Sequence, residues 1–135
     1  MNVTNPPLQI PIYRSVYLLI AAIRNTPRNG HTECVKLLLN VPGIDINRSD
    51  EDDITALGYA AAQGHEECVK LLLNALNINV DCVNNNGSTP LIAAAREGYT
   101  NCVKLLLNAP GIDINRTDKN GKTALDLATE NNHSE

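Results

Sequence analysis

The heptapeptide CVKLLLN stands at residues 34–40, again at 68–74 and again at 102–108. The step is 34 residues each time, so Cys34, Cys68 and Cys102 are equivalent. The match extends outward: HTECVKLLLNVPGIDIN (31–47) and YTNCVKLLLNAPGIDIN (99–115) differ at three of seventeen positions. Thr55, Thr89 and Thr123 keep the same step, as do Leu57, Leu91 and Leu125, and Gly30, Gly64 and Gly98. A fixed period between about 20 and 50 residues marks a stack of similar units, each burying its apolar face on the next.

Each unit reads the same way. TALGYAAAQG (55–64) and TPLIAAAREG (89–98) open on threonine, an N-cap residue, and close on glycine, which ends a helix in the left-handed conformation at low cost. Pro90 falls where the first helical residue needs no N–H. The alanines between give a short helix with a small-residue face. EECVKLLLN (66–74) and TNCVKLLLN (100–108) follow as a second helix, with Val and Leu at i, i+3 and i+4 on one stripe. Lys36, Lys70 and Lys104 fall off that stripe, facing water. PGIDIN (42–47 and 110–115) and NINVD (77–81) alternate with a period of two, as a short extended piece does. SDEDD, VNNNG and TDKNG then supply turns; Gly87 and Gly121 take positive φ freely, and Asp53 stands in that place in the second unit.

This pattern, TPLxxAAxxGHxxCVKLLLxxxGIDIN after a turn, resembles the ankyrin repeat over about residues 15–133. The resemblance implies an all-α repeat solenoid: about four stacked helix-turn-helix repeats with short projecting β-hairpin loops. The tetratricopeptide repeat also spans 34 residues, but it wants Trp, Tyr and Phe landmarks and two long helices. Here Pro90, Pro110 and the glycines limit helices to about nine residues. Some positions depart from the family. Pro42 and Pro110 sit where the 34-residue unit exceeds the usual 33. The family's histidine in the first helix is Gly58, Ile92 or Asp126, and Asp81 replaces the Asn of Asn47 and Asn115.

The divisions that follow are an N-terminal arm (1–14), a degenerate first repeat (15–49), two regular repeats (50–83 and 84–117) and a truncated capping repeat (118–135). Leu19 to Gly30 is eleven steps where Leu91 to Gly98 is seven, so about four residues are inserted within 25–29. TALDLATENNH (123–133) is a first helix with no VKLLL word after it. Terminal repeats are atypical because one side faces water; a longer array and self-association through that end are the alternatives.

Composition narrows the function. Asp+Glu 15 against Lys+Arg 11 gives a net charge of −4, and no basic block is present, which argues against phosphate-backbone binding. Four Tyr with no Trp or Phe make a poor base-stacking platform. The longest apolar run, residues 16–23, is far below the ~20 residues of a membrane span. Its flank lacks the positive charge of a secretory leader, and the chain is expected to be intracellular and cytoplasmic.

Neither catalysis nor a cofactor is expected. Cysteines one repeat apart sit on helices ~8–10 Å apart, too far for a disulfide and unable to converge on zinc; Cys34, Cys68 and Cys102 are therefore expected in the core. Cys82, near the turn, is the thiol expected at the surface. His31 and His65 share a slot with Tyr99, which asks for a ring rather than a base, and a catalytic pair has no reason to recur in every unit. The acidic run 50–53 lacks the ligand series of a calcium loop.

The informative residues are those that differ between units. At the turns they are Ser49, Glu51, Asp52 and Ile54; Val83, Asn85, Asn86 and Ser88; Thr117, Lys119, Asn120 and Lys122. On the first helices they are Ala62 and Gln63, Arg96 and Glu97, Glu130 and Asn131. The resemblance implies that these slots line a concave face where a partner protein docks. The second turn is acidic and the fourth basic, with Ile54 and Val83 as apolar contacts. The expected function is protein–protein recognition by a monomeric or weakly associating chain of unidentified partner. The alternatives are a self-assembling structural unit and the regulatory arm of a larger enzyme.

Overall fold

The computed structural model describes residues 12–24 and 32–133. Seven helices follow in order: α1 (Ile12–Arg24), α2 (Thr32–Leu39), α3 (Ala56–Gln63), α4 (Glu66–Leu73), α5 (Pro90–Glu97), α6 (Thr100–Leu107) and α7 (Ala124–His133). They pair as α1 with α2, α3 with α4 and α5 with α6. One layer is the row α1, α3, α5, α7; the other is the row α2, α4, α6. The architecture is an all-α repeat stack. Helix α1 begins at Ile12, within the stretch expected as an arm; the insertion expected at 25–29 and His31 lie outside the described residues.

Local chemistry sets these boundaries. The Thr55 hydroxyl accepts from the Gly58 amide and the Thr89 hydroxyl from the Ile92 amide, satisfying orphan donors of the first turn. Thr123 and Asp126 close a reciprocal capping pair at α7, each side chain accepting from the other's amide. Gly64 (φ 75°) and Gly98 (φ 77°) end α3 and α5, their amides donating back into the last turn.

Alanines bring the first-layer helices together. Ala56, Leu57, Tyr59, Ala60 and Ala61 of α3 are buried, as is every residue from Pro90 to Ala95 of α5. In the second layer, Cys68, Val69 and Leu72 of α4 are buried, and Lys36, Lys70 and Lys104 are exposed.

The three identical words differ in burial at the ends of the row. Cys34 is exposed where Cys68 and Cys102 are buried, and Leu37 is 71% exposed where Leu71 and Leu105 are partly covered. This corrects the expectation that all three cysteines are in the core: α2 leads its row, and no second-layer helix among the described residues covers that flank. At the other end Val103 is half-buried where Val35 and Val69 are fully buried, and Leu107 is 47% exposed.

The loops turn without forming strands among the described residues. Each is closed by two backbone bonds: the amides of Asp50, Asn84 and Asp118 donate to the carbonyls of Ile54, Ser88 and Lys122 at 3.0, 3.1 and 2.9 Å, and their carbonyls accept from the amides of Asp53, Gly87 and Gly121 at 3.0 Å. The alternating pieces before them bend, because Asp45, Asn79 and Asp113 each accept the amide two residues on. This local side-chain bond offers the backbone an alternative to a ladder.

Candidate functional site: the loop tips and first helices

One side-chain oxygen organises each loop. Asp50 Oδ1 accepts from the amides of Asp52 and Ile54, Asn84 Oδ1 from Asn86 and Ser88, and Asp118 Oδ1 from Asn120 and Lys122. Asp and Asn favour this turn because their short arm returns an sp² oxygen to amides two and four residues on. Asp53 takes φ 62° in the second loop, where Gly87 and Gly121 take 74° and 76°. The loops are joined to one another. The Asn47 amide group donates to the Asn77 carbonyl at 2.7 Å while its Oδ1 accepts from the Asn79 amide at 2.7 Å. Asp81, the substitute for that Asn, accepts instead from the Asp113 amide. The Lys119 amide donates to the Asn86 carbonyl at 3.3 Å, tying the third and fourth tips.

The second acceptor position of the loop residue varies in step with the preceding first helix. Asp50 Oδ2 accepts from the Tyr59 hydroxyl and lies 4.0 Å from Arg24, whose guanidinium sits 5.7 Å from the centre of the Tyr59 ring. Asp118 Oδ2 lies 3.5 Å from Arg96, which also donates to Ser88 at 2.8 Å. Between these two junctions, Ala62 takes the place of arginine and Asn84 the place of aspartate. Burial works to raise the Asp50 carboxyl, but the Tyr59 hydroxyl, the Ile54 and Asp52 amides and Arg24 outweigh it, leaving the group below its usual value. The Lys122 amide leads the groups that hold Asp118 down, against burial. These arginine–carboxylate pairs were not singled out in the sequence. Their signal was present: Asx at 50, 84 and 118, with Arg24 and Arg96 in equivalent places once the four inserted residues are discounted.

The residues expected to meet a partner divide by exposure. Glu51, Asp52, Val83, Asn85, Asn86, Glu97, Thr117, Lys119 and Asn120 are exposed. Ile54, Ala62, Gln63, Arg96 and Lys122 are half-buried. Ser88 is 3% exposed and serves Arg96, so the turn uses it internally. Lys122 is paired with Glu130. The second tip thus presents acidic side chains freely, while at the fourth tip Lys119 is the exposed cation and Lys122 is partly neutralised. Asn131 has no described side chain.

The thiols and the buried imidazole are set by packing. All four cysteines are free. Burial raises the Cys68 thiol, with Glu67 adding to it, and pushes Cys102 up to about 11, with Glu66 adding. Cys82 is half-buried, where surface exposure was expected. Burial raises it first, then Asp81 and Asp45, with a hydrogen bond from Thr55 opposing. His65 is 3% exposed, with Nε2 3.1 Å from the Gln63 side-chain oxygen; burial lowers its pKa, partly offset by the Ile23 backbone. Among the described residues no three His, Cys, Asp or Glu side chains gather closely enough to hold a metal ion. None of the described helices is long and apolar enough to cross a membrane.

A family model described as ankyrin repeats (3 copies) matches residues 18–118 and 75–135. No curated protein matches the chain.

Proposed function

The chain belongs to the ankyrin repeat family, whose members are generally protein–protein interaction modules, and from that premise we propose that it recognises one partner protein through its loop tips and the adjoining ends of its first helices. One observation carries the reading: most of the turn residues that vary between units are exposed, while the alanine-rich faces of the helices beneath them are packed into the stack. Glu51, Asp52, Val83, Asn85, Asn86, Thr117 and Lys119 reach solvent from successive tips, the third and fourth of which are tied by the Asn86–Lys119 backbone bond. A preformed surface of this kind loses little entropy on binding. The acidic second tip favours a partner that is basic there, since complementary potentials steer encounter and suppress wrong partners. No catalytic step is assigned, because recognition by a preformed surface needs none. A cytoplasmic setting suits four free thiols.

The test is affinity capture with wild type and the double variant Asp52→Lys, Val83→Glu. Both residues are exposed, so the melt should hold while capture of the wild-type partner is lost. Retained capture by the folded variant refutes this surface. Self-association is a second reading, favoured by Leu37, Leu107 and Leu125, which are 71%, 47% and 74% exposed. Sedimentation velocity across a concentration series decides it: a constant monomeric coefficient excludes the stack.

A further inference from the structure

We propose that the junction between α3 and the third loop holds a side-chain-sized pocket for an uncharged partner side chain that ends in a hydrogen-bond acceptor, with glutamine as the fit. The inference deepens the recognition reading and rests on it for the pocket's purpose, though not for the pocket's binding chemistry.

At the other two junctions an arginine crosses from one first helix to the next loop. Arg24 reaches from α1 to the Asp50 and Tyr59 side chains, and Arg96 reaches from α5 to Ser88 and Asp118. At the central junction both large groups are missing. Ala62 replaces the arginine, and Ala93 stands where the second unit has Tyr59 and the fourth has Leu127. A cavity of ≈ 190 Å³ remains, lined among others by Gly58, Tyr59, Ala62, Pro90, Ala93 and Asn84. That is below the roughly 300 Å³ at which small-molecule pockets begin, and close to the ~150 Å³ apolar cavity that holds one benzene ring. It suits one side chain.

The floor of the pocket fixes the chemistry of its occupant. Asn84 Oδ1 is committed to the amides of Asn86 and Ser88, at 2.8 and 3.0 Å. This fixes the orientation of the amide group, so Nδ2 takes the position that Oδ2 takes in Asp50 and Asp118. There the flanking junctions accept from a tyrosine and an arginine; here the group is a donor, and the side chains that reach it elsewhere are alanines. The polarity of the slot is inverted. A guanidinium or ammonium entering would meet an N–H, and a carboxylate would pass the exposed Asp53 at the rim. A neutral carbonyl on an apolar stem satisfies Asn84 Nδ2 and covers the alanine, glycine and proline walls. Cys82 also lines the pocket, and its raised thiol pKa keeps it uncharged at neutral pH.

The experiment titrates the ¹⁵N-labelled chain with acetyl-Gly-Gln-Gly-amide and with the Glu, Lys and Leu analogues. The glutamine peptide should shift the Asn84 side-chain amide pair and the Ala62 and Ala93 amides. It should bind at least about fivefold tighter than the others, the factor one net hydrogen bond supplies. The double variant Ala62→Arg, Asn84→Asp rebuilds the arginine–aspartate pair of the flanking junctions, so it should melt with the wild type and lose the Ala93 shift, the reporter that the variant retains. If that variant does not fold, Ala62→Leu blocks the slot without introducing charge. Silence toward the glutamine peptide, equal response to all four, or shifts that survive in a folded blocked variant overturns the pocket. Partner capture that depends on Asp52 and Val83 beside a silent titration sinks the pocket and leaves the recognition surface standing. A specific titration with capture indifferent to those residues does the reverse.

Discussion

Replacing Asp50 tests whether the loops stand on one oxygen. In Asp50→Ala the amides of Asp52 and Ile54 and the Tyr59 hydroxyl lose their acceptor together. Hydrogen bonds to a charged group contribute about 1.5–3 kcal/mol each. The Asp52 amide sits at an exposed residue where water replaces the acceptor, so only the Ile54 and Tyr59 bonds are counted, each near the lower end, and the variant should lose about 3–4 kcal/mol. At about 4 °C per kcal/mol for a chain of this size, the melt falls roughly 12–16 °C. In Asp50→Asn, Oδ1 survives and both amides keep their partner, as they do on Asn84. Only the acceptor for the Tyr59 hydroxyl and the charge facing Arg24 go, so the loss should be about 1–1.5 kcal/mol. Arg24 adds little, because its side chain is 47% exposed and its pairing is screened. Urea unfolding of wild type, Asp50→Asn and Asp50→Ala, with equal m-values, measures the difference. If the asparagine variant is as unstable as the alanine variant, the loop rests on charge and not on the Oδ1 clasp, and the account of all three loops is wrong.

Other outcomes follow from particular residues. His65 is held below its unfolded value of about 6.5, so the unfolded chain binds the extra proton; stability present above that pH should fall as pH drops toward 5, and His65→Tyr, the residue used at position 99, should flatten the profile of melting temperature against pH. Gly64→Ala and Gly98→Ala both place a side chain in the left-handed region, at about 1–2 kcal/mol each. The Gly64 variant should lose roughly 1 kcal/mol more in denaturant, because its new Cβ lies 2.9 Å from the Tyr99 ring while Gly98 faces open space. Iodoacetamide at neutral pH should label Cys34 in the native chain and Cys68 and Cys102 only after unfolding, as peptide mass mapping will read; native labelling of Cys102 contradicts its burial.

The framework was legible because period, capping and breaker residues agree. Thr89 with Pro90 and Gly98 fixes both ends of α5 without reference to anything distant. The fate of Cys34 was not legible from its own word, which is letter for letter the word around Cys68. What differs is the neighbour, and a repeat alphabet records what a unit contains rather than what covers it. The turn before each loop misled for a similar reason: Ile-Asp-Ile alternates like a strand, while the Asp carboxylate bends the backbone through the amide two residues on. Ser88 looked like a freely varying surface residue, yet its hydroxyl receives Arg96. The pairing of Arg24 with Asp50 and of Arg96 with Asp118 crosses between units, and the four inserted residues hid the equivalence of the two arginines.

The alternation of these junctions bears on how such a gene can change length. Excising one 34-residue period, 50–83, sets Arg24 against Asn84 and strands a cation; excising 84–117 sets Ala62 against Asp118 and strands an anion. Excising both, 50–117, brings Arg24 to Asp118 and restores a matched couple. Because solvent reaches both arginines, a one-period excision costs little stability, and its mark on the descendant chain is an unmatched charge at one junction rather than a weaker stack.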